Sequence, residues 1–496
     1  MRRVLTAAVV TLLLGGSLLS GAEAAPTSAL PGLCQLAPTV NTWQGLGVGP
    51  GTTDDWETDA NWSDGAPLHG GDPDVCIPSG GLPRIAAGQE GHVTTLDIAG
   101  GATVHVDPGG KLFLYGDQSS DADSLVRSNG RLEVVGGTLG GVSKLHVKGT
   151  LVLEHDVSSA ATLLTRDCAY DSTPGVSYPG EETCTSPVPT PVAGDTFHLE
   201  VDDRGVVDVR GGGVNIGDQT VVVARGLVRV GAGAYLAADH GTRLALRPHR
   251  TAAPGTGTLR FEGDGGYLEG KIEADTGIAT LSRLVNQGLI RKSGGTGLSL
   301  VTASYSQPTP GTASVASGTL LLPTGPVQAA QVAGGSTYGT GACVQPDDPA
   351  CVPSTTPDFP QSAELRVPTI DTNGARVVVR KLGSTSSGAD LGFPFTVHAS
   401  SLKATPARPA LIRMRFDASV LGGKRWWNVK ILRKSGSKPY RVVKACTSSG
   451  RPPSGEVACV DRRGLAGSSR NIANVSGAPD VLMVVRTTGT SRWVGR

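Results

Sequence analysis

The chain has 496 residues, of which 39% are hydrophobic and 4% aromatic, and its 44 Lys/Arg nearly balance its 43 Asp/Glu. This length allows a large core and more than one domain. With 70 glycines and three methionines, no stretch of about twelve residues keeps helical apolar spacing without a Gly or Pro, which excludes a helical protein. Short Val, Leu and Thr runs between glycines predict strands and tight turns, so we expect an all-β fold.

The first 24 residues have the pattern of a secretory signal peptide. Two arginines precede an apolar segment from Val4 to Leu19, and a small-residue cleavage site follows at residues 22–24. No later run reaches the roughly 20 apolar residues of a membrane-spanning helix, and Cys34 lies too far past the cut for a lipoprotein anchor. We therefore expect an exported, monomeric, water-soluble protein without a membrane span, either secreted or associated with the cell wall.

Residues 25–90 contain three of the six tryptophans, Trp43, Trp56 and Trp62, among turn-forming residues. Exposed aromatic rings here would suit a sugar-binding platform. The alternative is a cap that covers the open end of a following solenoid, because large aromatic side chains bury much apolar surface. The repeat in the next segment favours the cap.

Residues 91–325 repeat a short phrase of Gly, any residue, an apolar residue, any residue and an apolar residue. Alternation places every second side chain inward, and glycine fits corners where a Cβ would clash or φ is positive. Spacings near 20 residues, with an inserted loop at 157–196, predict stacked coils whose strands pair in parallel. The phrase starts at Gly110, Gly130, Gly149, Gly205, Gly226, Gly257, Gly288 and Gly318.

The chain changes character near residue 370, after a disulfide-stapled loop and connection at 326–370. About seven ordinary strands without the glycine phrase predict a small antiparallel β-sandwich over 371–496. From Arg376 onward there are 22 Lys/Arg and five Asp/Glu, a net charge of +17, against −16 for the preceding residues. An acidic solenoid is therefore joined to a basic terminal module.

The eight cysteines predict disulfides, because their number is even and the chain has an export signal. A zinc site would need closely spaced pairs of the C-x-x-C type, which the chain lacks. Sequence does not fix the connectivity, and pairing of neighbours is the simplest arrangement. That arrangement joins Cys34 to Cys76, Cys168 to Cys184, Cys343 to Cys351 and Cys446 to Cys459.

The stretches "TWQG" (42–45), "NWSDGAP" (61–67) and "GDPDVCIPSG" (71–80), together with the coil phrase, resemble secreted bacterial right-handed parallel β-helix proteins of the pectin-lyase-like and adhesin-like type. "FDASVL" (416–421) and "VVRTTGTSRW" (484–493) resemble an immunoglobulin-like module of exported Gram-positive proteins. The resemblance implies a right-handed parallel β-helix with an N-terminal cap, followed by a sandwich. It specifies architecture and leaves activity open.

Catalytic residues in such a solenoid would be clustered carboxylates with a basic side chain, since paired carboxylates serve as acid and base. The best candidates are Asp202, Asp208 and Asp218 with Arg210, near Asp203 and Arg204. The alternative is that these are outward charges on exposed strands, which we favour because no polar cluster recurs on adjacent coils. No cofactor is required; the acidic pair at 347–348 could contact calcium, although a loop solvating its own turn is the favoured explanation.

The basic module is the best functional lead, because a large net charge attracts polyanions. Lys424, Arg425, Trp426 and Trp427 could form a stacking and cation–π surface; otherwise the tryptophans are structural and the charge aids solubility. No nucleic-acid motif is present. We expect a non-enzymatic β-helix protein that binds an anionic cell-wall polymer or glycan, with this module as its retention surface. The alternative is a polysaccharide lyase or glycoside hydrolase acting on an acidic polysaccharide.

Overall fold

The structure is a computed structural model of the chain. Its description covers residues 40–45, 54–68, 73–116, 123–156, 160–164, 196–217, 220–238, 241–250, 255–269, 282–323, 329–340, 361–382, 391–421, 423–463, 468–472, 480–489 and 491–496.

Short strands follow one another along the first part of the chain, separated by turns rich in glycine. Their bounds, in chain order, are β1 (Asn41–Thr42), β2 (Asp74–Ile77), β3 (Arg84–Ile85), β4 (Glu90–Val93), β5 (Thr95–Ile98), β6 (Thr103–Val106), β7 (Lys111–Leu114), β8 (Ser124–Val126), β9 (Arg131–Val135), β10 (Thr138–Gly141), β11 (Lys144–Val147), β12 (Thr150–Glu154), β13 (Ala161–Leu164), β14 (His198–Val201), β15 (Val206–Arg210), β16 (Gly213–Ile216), β17 (Val221–Ala224), β18 (Leu227–Val230), β19 (Tyr235–Ala238), β20 (Arg243–Leu246), β21 (Thr258–Phe261), β22 (Gly265–Glu269), β23 (Arg283–Asn286), β24 (Leu289–Lys292), β25 (Leu298–Val301), β26 (Ser304–Ser306), β27 (Thr312–Val315), β28 (Thr319–Leu322), β29 (Ala329–Val332) and β30 (Thr337–Thr340).

These strands form three parallel sheets, and successive strands of the chain pass from one sheet to the next. The first sheet has the spatial order β1-β2-β5-β8-β11-β14-β17-β20-β23-β26. The second sheet runs β4-β7-β10-β13-β16-β19-β22-β25-β28-β30, and the third runs β3-β6-β9-β12-β15-β18-β21-β24-β27-β29. From β2 to β28 each strand therefore stacks on the strand three before or after it in the chain, which confirms the predicted parallel β-helix.

A single apolar core fills the solenoid, and the tryptophans close its first coil. Trp43, Trp56 and Trp62 are at most 4% exposed. The Trp62 ring lies edge-on at 5.0 Å from the Trp43 ring and 4.7 Å from the Trp56 ring, measured between centroids. The Trp62 indole N–H donates to the Trp56 carbonyl at 2.7 Å, and the Trp56 indole N–H donates to the Pro67 carbonyl at 3.3 Å. Rings buried in this way cannot stack on a sugar, so the predicted cap is confirmed.

The glycine phrase marks corners where the backbones of adjacent coils nearly touch. A Cβ at Gly226 would lie 2.3 Å from the carbonyl oxygens of Asp202 and Gly205, so only glycine fits there without displacing backbone. Six of the phrases start strands of the third sheet, whereas those of Gly110 and Gly318 start β7 and β28 of the second sheet. The first spacing, from Gly110 to Gly130, and the last, from Gly288 to Gly318, therefore each join two different corners of the coil.

The C-terminal strands are antiparallel and form a sandwich that extends two of the solenoid sheets. Strand β31 pairs with β30 of the second sheet, and β32 pairs with β29 of the third. From these the sheets continue as β31-β34-β39-β37, with β38 beside β39, and as β32-β33-β40-β35-β36. The bounds are β31 (Gln361–Arg366), β32 (Ala375–Lys381), β33 (Leu391–Ser400), β34 (Ala410–Phe416), β35 (Ile431–Lys434), β36 (Arg441–Val442), β37 (Ala458–Val460), β38 (Arg470–Ile472), β39 (Asp480–Thr487) and β40 (Ser491–Gly495).

Helical structure in the described residues is limited to a 3-10 turn at Asp59–Asn61 and a one-turn α-helix, α1, at Ala418–Leu421. None of the helices that the structure describes is long and apolar enough to cross a membrane.

The predicted Cys446–Cys459 disulfide is present. Cys76 is also disulfide-bonded, while Cys34 and the other four cysteines of the predicted pairs lie outside the described residues.

Candidate binding sites

The predicted tryptophan pair lies in the loop after α1, and the two rings have different environments. Trp426 is partly buried and packs against the core, whereas Trp427 is 49% exposed. The Arg462 guanidinium fixes this loop by donating to the carbonyl oxygens of Trp426 at 3.0 Å and Trp427 at 2.8 Å. The Arg425 guanidinium lies 5.2 Å from the centroid of the Trp427 ring, within cation–π range. Lys424 and Arg425 are exposed beside it, so the structure brings the four predicted residues together.

Exposed cations surround this loop over the rest of the C-terminal region. Burial removes few of the 22 basic side chains from solvent, and fourteen of them are exposed. Between described residues, Lys444–Glu456 is the single ion pair that includes one of these fourteen side chains. They are Arg376, Arg380, Lys403, Arg408, Lys424, Arg425, Lys430, Lys438, Arg441, Lys444, Arg451, Arg470, Arg492 and Arg496.

Asp208, a predicted catalytic candidate, is buried within an ion-paired cluster. Its carboxylate accepts a hydrogen bond from Arg210 Nε at 2.7 Å and one from Arg229 Nε at 2.8 Å. Burial raises the pKa of Asp208, but the hydrogen bonds from Arg229 and Arg210 outweigh it, and the net pKa lies below the usual value. A carboxyl group that is 2% exposed and held ionised is poorly placed to donate a proton to a substrate.

A second cluster, which we call the His146 cluster, comprises His146, Asp123, Glu200 and Asp202 on the first sheet. His146 and Glu200 are directly paired in register on the adjacent strands β11 and β14. Nε2 of His146 lies 2.8 Å from an oxygen of Asp123, and Nδ1 lies 3.8 Å from Glu200 and 3.7 Å from Asp202. The expectation that no polar cluster recurs on adjacent coils is therefore wrong.

The carboxylates of the His146 cluster are engaged by cations. Glu200 forms ion pairs with Lys144, Arg225 and Arg250. Burial raises the pKa of Asp202, but hydrogen bonding and charge from His146 outweigh it and leave the pKa lowered. Asp218, the remaining predicted candidate, lies outside the described residues.

The third sheet carries a row of arginines on its outer face that the sequence analysis did not single out. Arg229, Arg260 and Arg291 pair directly in register on β18, β21 and β24, so they lie about one strand spacing, roughly 4.8 Å, apart. We call these three residues the arginine row. Each occupies the fourth position of a glycine phrase, namely "GLVRV", "GTLRF" and "GLIRK". That recurrence is the sequence signal that could have identified them.

A cavity of about 290 Å³ lies beside the arginine row. Arg260 and Arg291 line one side, and Arg204, His249 and Asp203 line other parts of its wall. Its remaining lining is aliphatic or hydroxylated, and consists of Gly205, Val206, Gly226, Leu227, Thr256, Thr258 and Leu289. Arg204, which the sequence analysis considered as a catalytic base, is thus a wall residue of this cavity.

Within the described ranges, no group of three His, Cys, Asp or Glu side chains is arranged to hold a metal ion. The acidic pair at 347–348, considered as a calcium contact, lies outside those ranges.

Comparison with known proteins gives no match to a family model, to a curated protein or to a solved structure. The function of this chain must therefore be inferred from the geometry of its sites, because a fold alone does not specify a function.

Proposed function

We propose that this chain is an exported, non-catalytic β-solenoid that binds an anionic glycan or another polymer of the cell surface, retained there by its basic C-terminal region. Fourteen exposed cations with few acidic neighbours give that region a field that attracts polyanions over long range. Export is supported by the signal-peptide pattern of residues 1–24.

The observation that carries this proposal is the exposed ring of Trp427 beside Arg425. A tryptophan that is half exposed on a loop fixed by the Arg462 guanidinium loses little entropy when a ligand binds. Stacking on the ring and a charge-assisted hydrogen bond to Arg425 would together suit a sugar that bears an anionic group. The Trp427 ring packs edge-on against Trp426, with the centroids 5.8 Å apart, and its exposed half is open to a ligand.

The resemblance to pectin-lyase-like and adhesin-like β-helix proteins, and of the C-terminal sandwich to an immunoglobulin-like module, belongs to the same proposal. It agrees with the parallel solenoid and the antiparallel sandwich, and adds the expectation of a bacterial surface setting. We propose a Gram-positive cell wall as that setting, with teichoic acid or an acidic glycan as the ligand.

The test is sedimentation of the full chain with purified Gram-positive cell walls over a series of salt concentrations. Trp427→Ala and the double variant K424Q/R425Q should each reduce the bound fraction, and binding should weaken as salt rises. Leu82→Ala is the control for Trp427→Ala, because Leu82 is also an exposed apolar side chain, at 54%. R243Q/R283Q is the charge control, since both arginines are exposed on the first sheet of the solenoid. Absence of binding at low salt, or binding indifferent to salt, would refute the proposal.

A second candidate function is a carbohydrate-active enzyme that cleaves an acidic polysaccharide. The observation in its favour is the convergence of carboxylates from adjacent coils in the His146 cluster. Against it, the lowered pKa of Asp202 makes this carboxyl group a poor acid near neutral pH, and Glu200 is occupied by ion pairs with Arg225 and Arg250. Release of reducing ends from acidic polysaccharides by the wild-type chain, and its loss in Asp202→Asn, would establish the enzyme and overturn the non-catalytic proposal.

A further inference from the structure

We propose that the cavity beside the arginine row is a second binding site, which takes one or two residues of a linear acidic saccharide through its carboxylate groups. The proposal rests on the proposed function and assigns the solenoid a direct part in it. It concerns the outer face of the third sheet, well away in sequence from the Trp427 loop.

The charges of the cavity wall select an anion. Three guanidinium groups, those of Arg204, Arg260 and Arg291, line it against the single carboxylate of Asp203. Arg204 and Arg291 are exposed, and no ion pair joins either of them to another residue in the described ranges. A guanidinium group recognises a planar carboxylate through two parallel hydrogen bonds, so these two side chains are free to bind one.

One side chain of the cavity wall, Arg260, has a hydrogen-bond donor without a partner. Arg260 pairs through one terminal nitrogen with Glu262, while its Nε is buried and has no hydrogen-bond partner. A buried donor without a partner costs free energy, so the hydrogen-bonding capacity of the Arg260 guanidinium is incompletely satisfied within the described residues.

The floor of the cavity suits a sugar ring better than an inorganic anion. The outer positions next to the arginine row on the same strands are Leu227, Thr258 and Leu289, which pair in register across β18, β21 and β24. Aliphatic side chains can cover the apolar C–H face of a pyranose. The Thr258 hydroxyl donates to the Thr256 carbonyl at 3.0 Å, which leaves its oxygen able to accept from a sugar hydroxyl. The volume, about 290 Å³, lies near the lower end for small-molecule sites.

The arginine row continues along the solenoid axis into the C-terminal region. In register, Arg291 pairs with Ser314, Ser314 with Gln331, and Gln331 with the exposed Arg376 on β32. From Arg229 to Arg376 this outer column crosses six strands without an acidic residue at any paired position, a length of about 24 Å. A linear ligand anchored in the cavity can therefore extend over polar and basic side chains towards the basic sandwich.

The test is calorimetric titration of the full chain with a β-1,4-linked trisaccharide of hexuronate, with its methyl ester and with a glycerol phosphate trimer. The wild-type chain should bind the acid and not the ester. Arg291→Gln and Arg204→Gln should each weaken binding about tenfold, as expected for one lost charge-assisted hydrogen bond. Arg243→Gln removes an exposed arginine of the solenoid outside the cavity and should leave the affinity unchanged. Unchanged melting temperatures would show that the arginine variants remain folded.

The outcomes separate this site from the proposed function. If Arg291→Gln and Arg204→Gln bind the acid as wild type does, or if the ester binds equally, the cavity assignment is overturned while cell-wall retention through Trp427 stands. Tight binding of the glycerol phosphate trimer without the hexuronate would overturn the saccharide class. Loss of cell-wall binding in Trp427→Ala with trisaccharide binding intact would support two separate sites.

Discussion

Asp461 offers a quantitative test of the electrostatics in the C-terminal region. Its carboxylate is fully buried directly after β37, beside the Cys446–Cys459 disulfide. It accepts two hydrogen bonds from the Arg463 guanidinium, both at 2.8 Å, and one from Arg486 Nε at 2.7 Å. Burial raises the pKa of Asp461, but these hydrogen bonds outweigh it and lower the pKa to about 2.

The lowered pKa of Asp461 corresponds to a free energy of folding. An unfolded Asp has a pKa of about 3.9, so the folded value of about 2 is a difference of roughly 1.9 units. Each unit contributes about 1.4 kcal/mol, which gives about 2.6 kcal/mol of stabilisation. Because the folded-state pKa is the lower of the two, this stabilisation is complete at pH values above about 4 and is lost as the pH falls towards 2.

The measurement is the free energy of unfolding of wild type and Asp461→Asn in urea, followed by tryptophan fluorescence between pH 6 and pH 2. At pH 6 the variant should be less stable by about 2 to 3 kcal/mol, and the difference should shrink steadily below pH 4. Glu456→Gln is the matched control, because solvent screens its exposed ion pair with Lys444, which should contribute little to stability. Equal stability of Asp461→Asn and Glu456→Gln at pH 6, or a difference that does not depend on pH, would refute the reasoning.

Two further predictions concern the packing of the solenoid. Trp62→Ala should lower the free energy of unfolding by about 3 to 5 kcal/mol because its ring is buried in the cap. Trp427→Ala should lower it by only about 1 kcal/mol, because its half-exposed ring contacts Trp426 and Arg425 alone among the described aromatic and cation–π contacts. Urea unfolding distinguishes the two variants, and equal effects would contradict the cap. Gly226→Ala should cost about 1 to 3 kcal/mol or more, since the new Cβ would lie 2.3 Å from two carbonyl oxygens of the preceding coil. Gly489→Ala is its control, because a Cβ there would lie 4.0 Å from its nearest neighbour, the Arg433 guanidinium. An equal loss of stability in both variants would show that close approach is not the reason for glycine at 226.

The fold could be predicted from the sequence because its physical signal is local and repeated. Alternation within four residues defines each strand, and a glycine at a corner is required by the carbonyl groups of the coil below, as at Gly226. Lys292 shows the limit of this pattern, since it occupies an inward position of "GLIRK" and is fully buried. Its ammonium group donates to the Gly263 carbonyl at 2.8 Å and the Ser299 hydroxyl at 3.1 Å. The sequence showed a polar residue there, but the partners that make its burial possible come from other strands.

The His146 cluster could not be predicted, because it depends on register across a long insertion. His146 and Glu200 are 54 residues apart in the chain and become direct neighbours only when β14 stacks on β11. The number of residues between β13 and β14 gives no information about which residue of one strand will face which residue of the next. Candidate pairs of carboxylates therefore cannot be selected from sequence distance in a solenoid with insertions.

The arginine row was predictable in principle, and the reason bears on how such solenoids are interpreted. The inward positions of a coil phrase are constrained by the core, so the apolar residues there indicate the fold and do not indicate a binding site. The outward positions are free, and a residue that recurs there on successive coils is placed at about 4.8 Å intervals along one face. Arg229, Arg260 and Arg291 recur in this way on a segment whose overall charge is negative. Arg229 and Arg260 are ion-paired with Asp208 and Glu262. The charge that favours a bound anion at this face therefore comes from Arg291 and the neighbouring Arg204, which no ion pair between described residues neutralises.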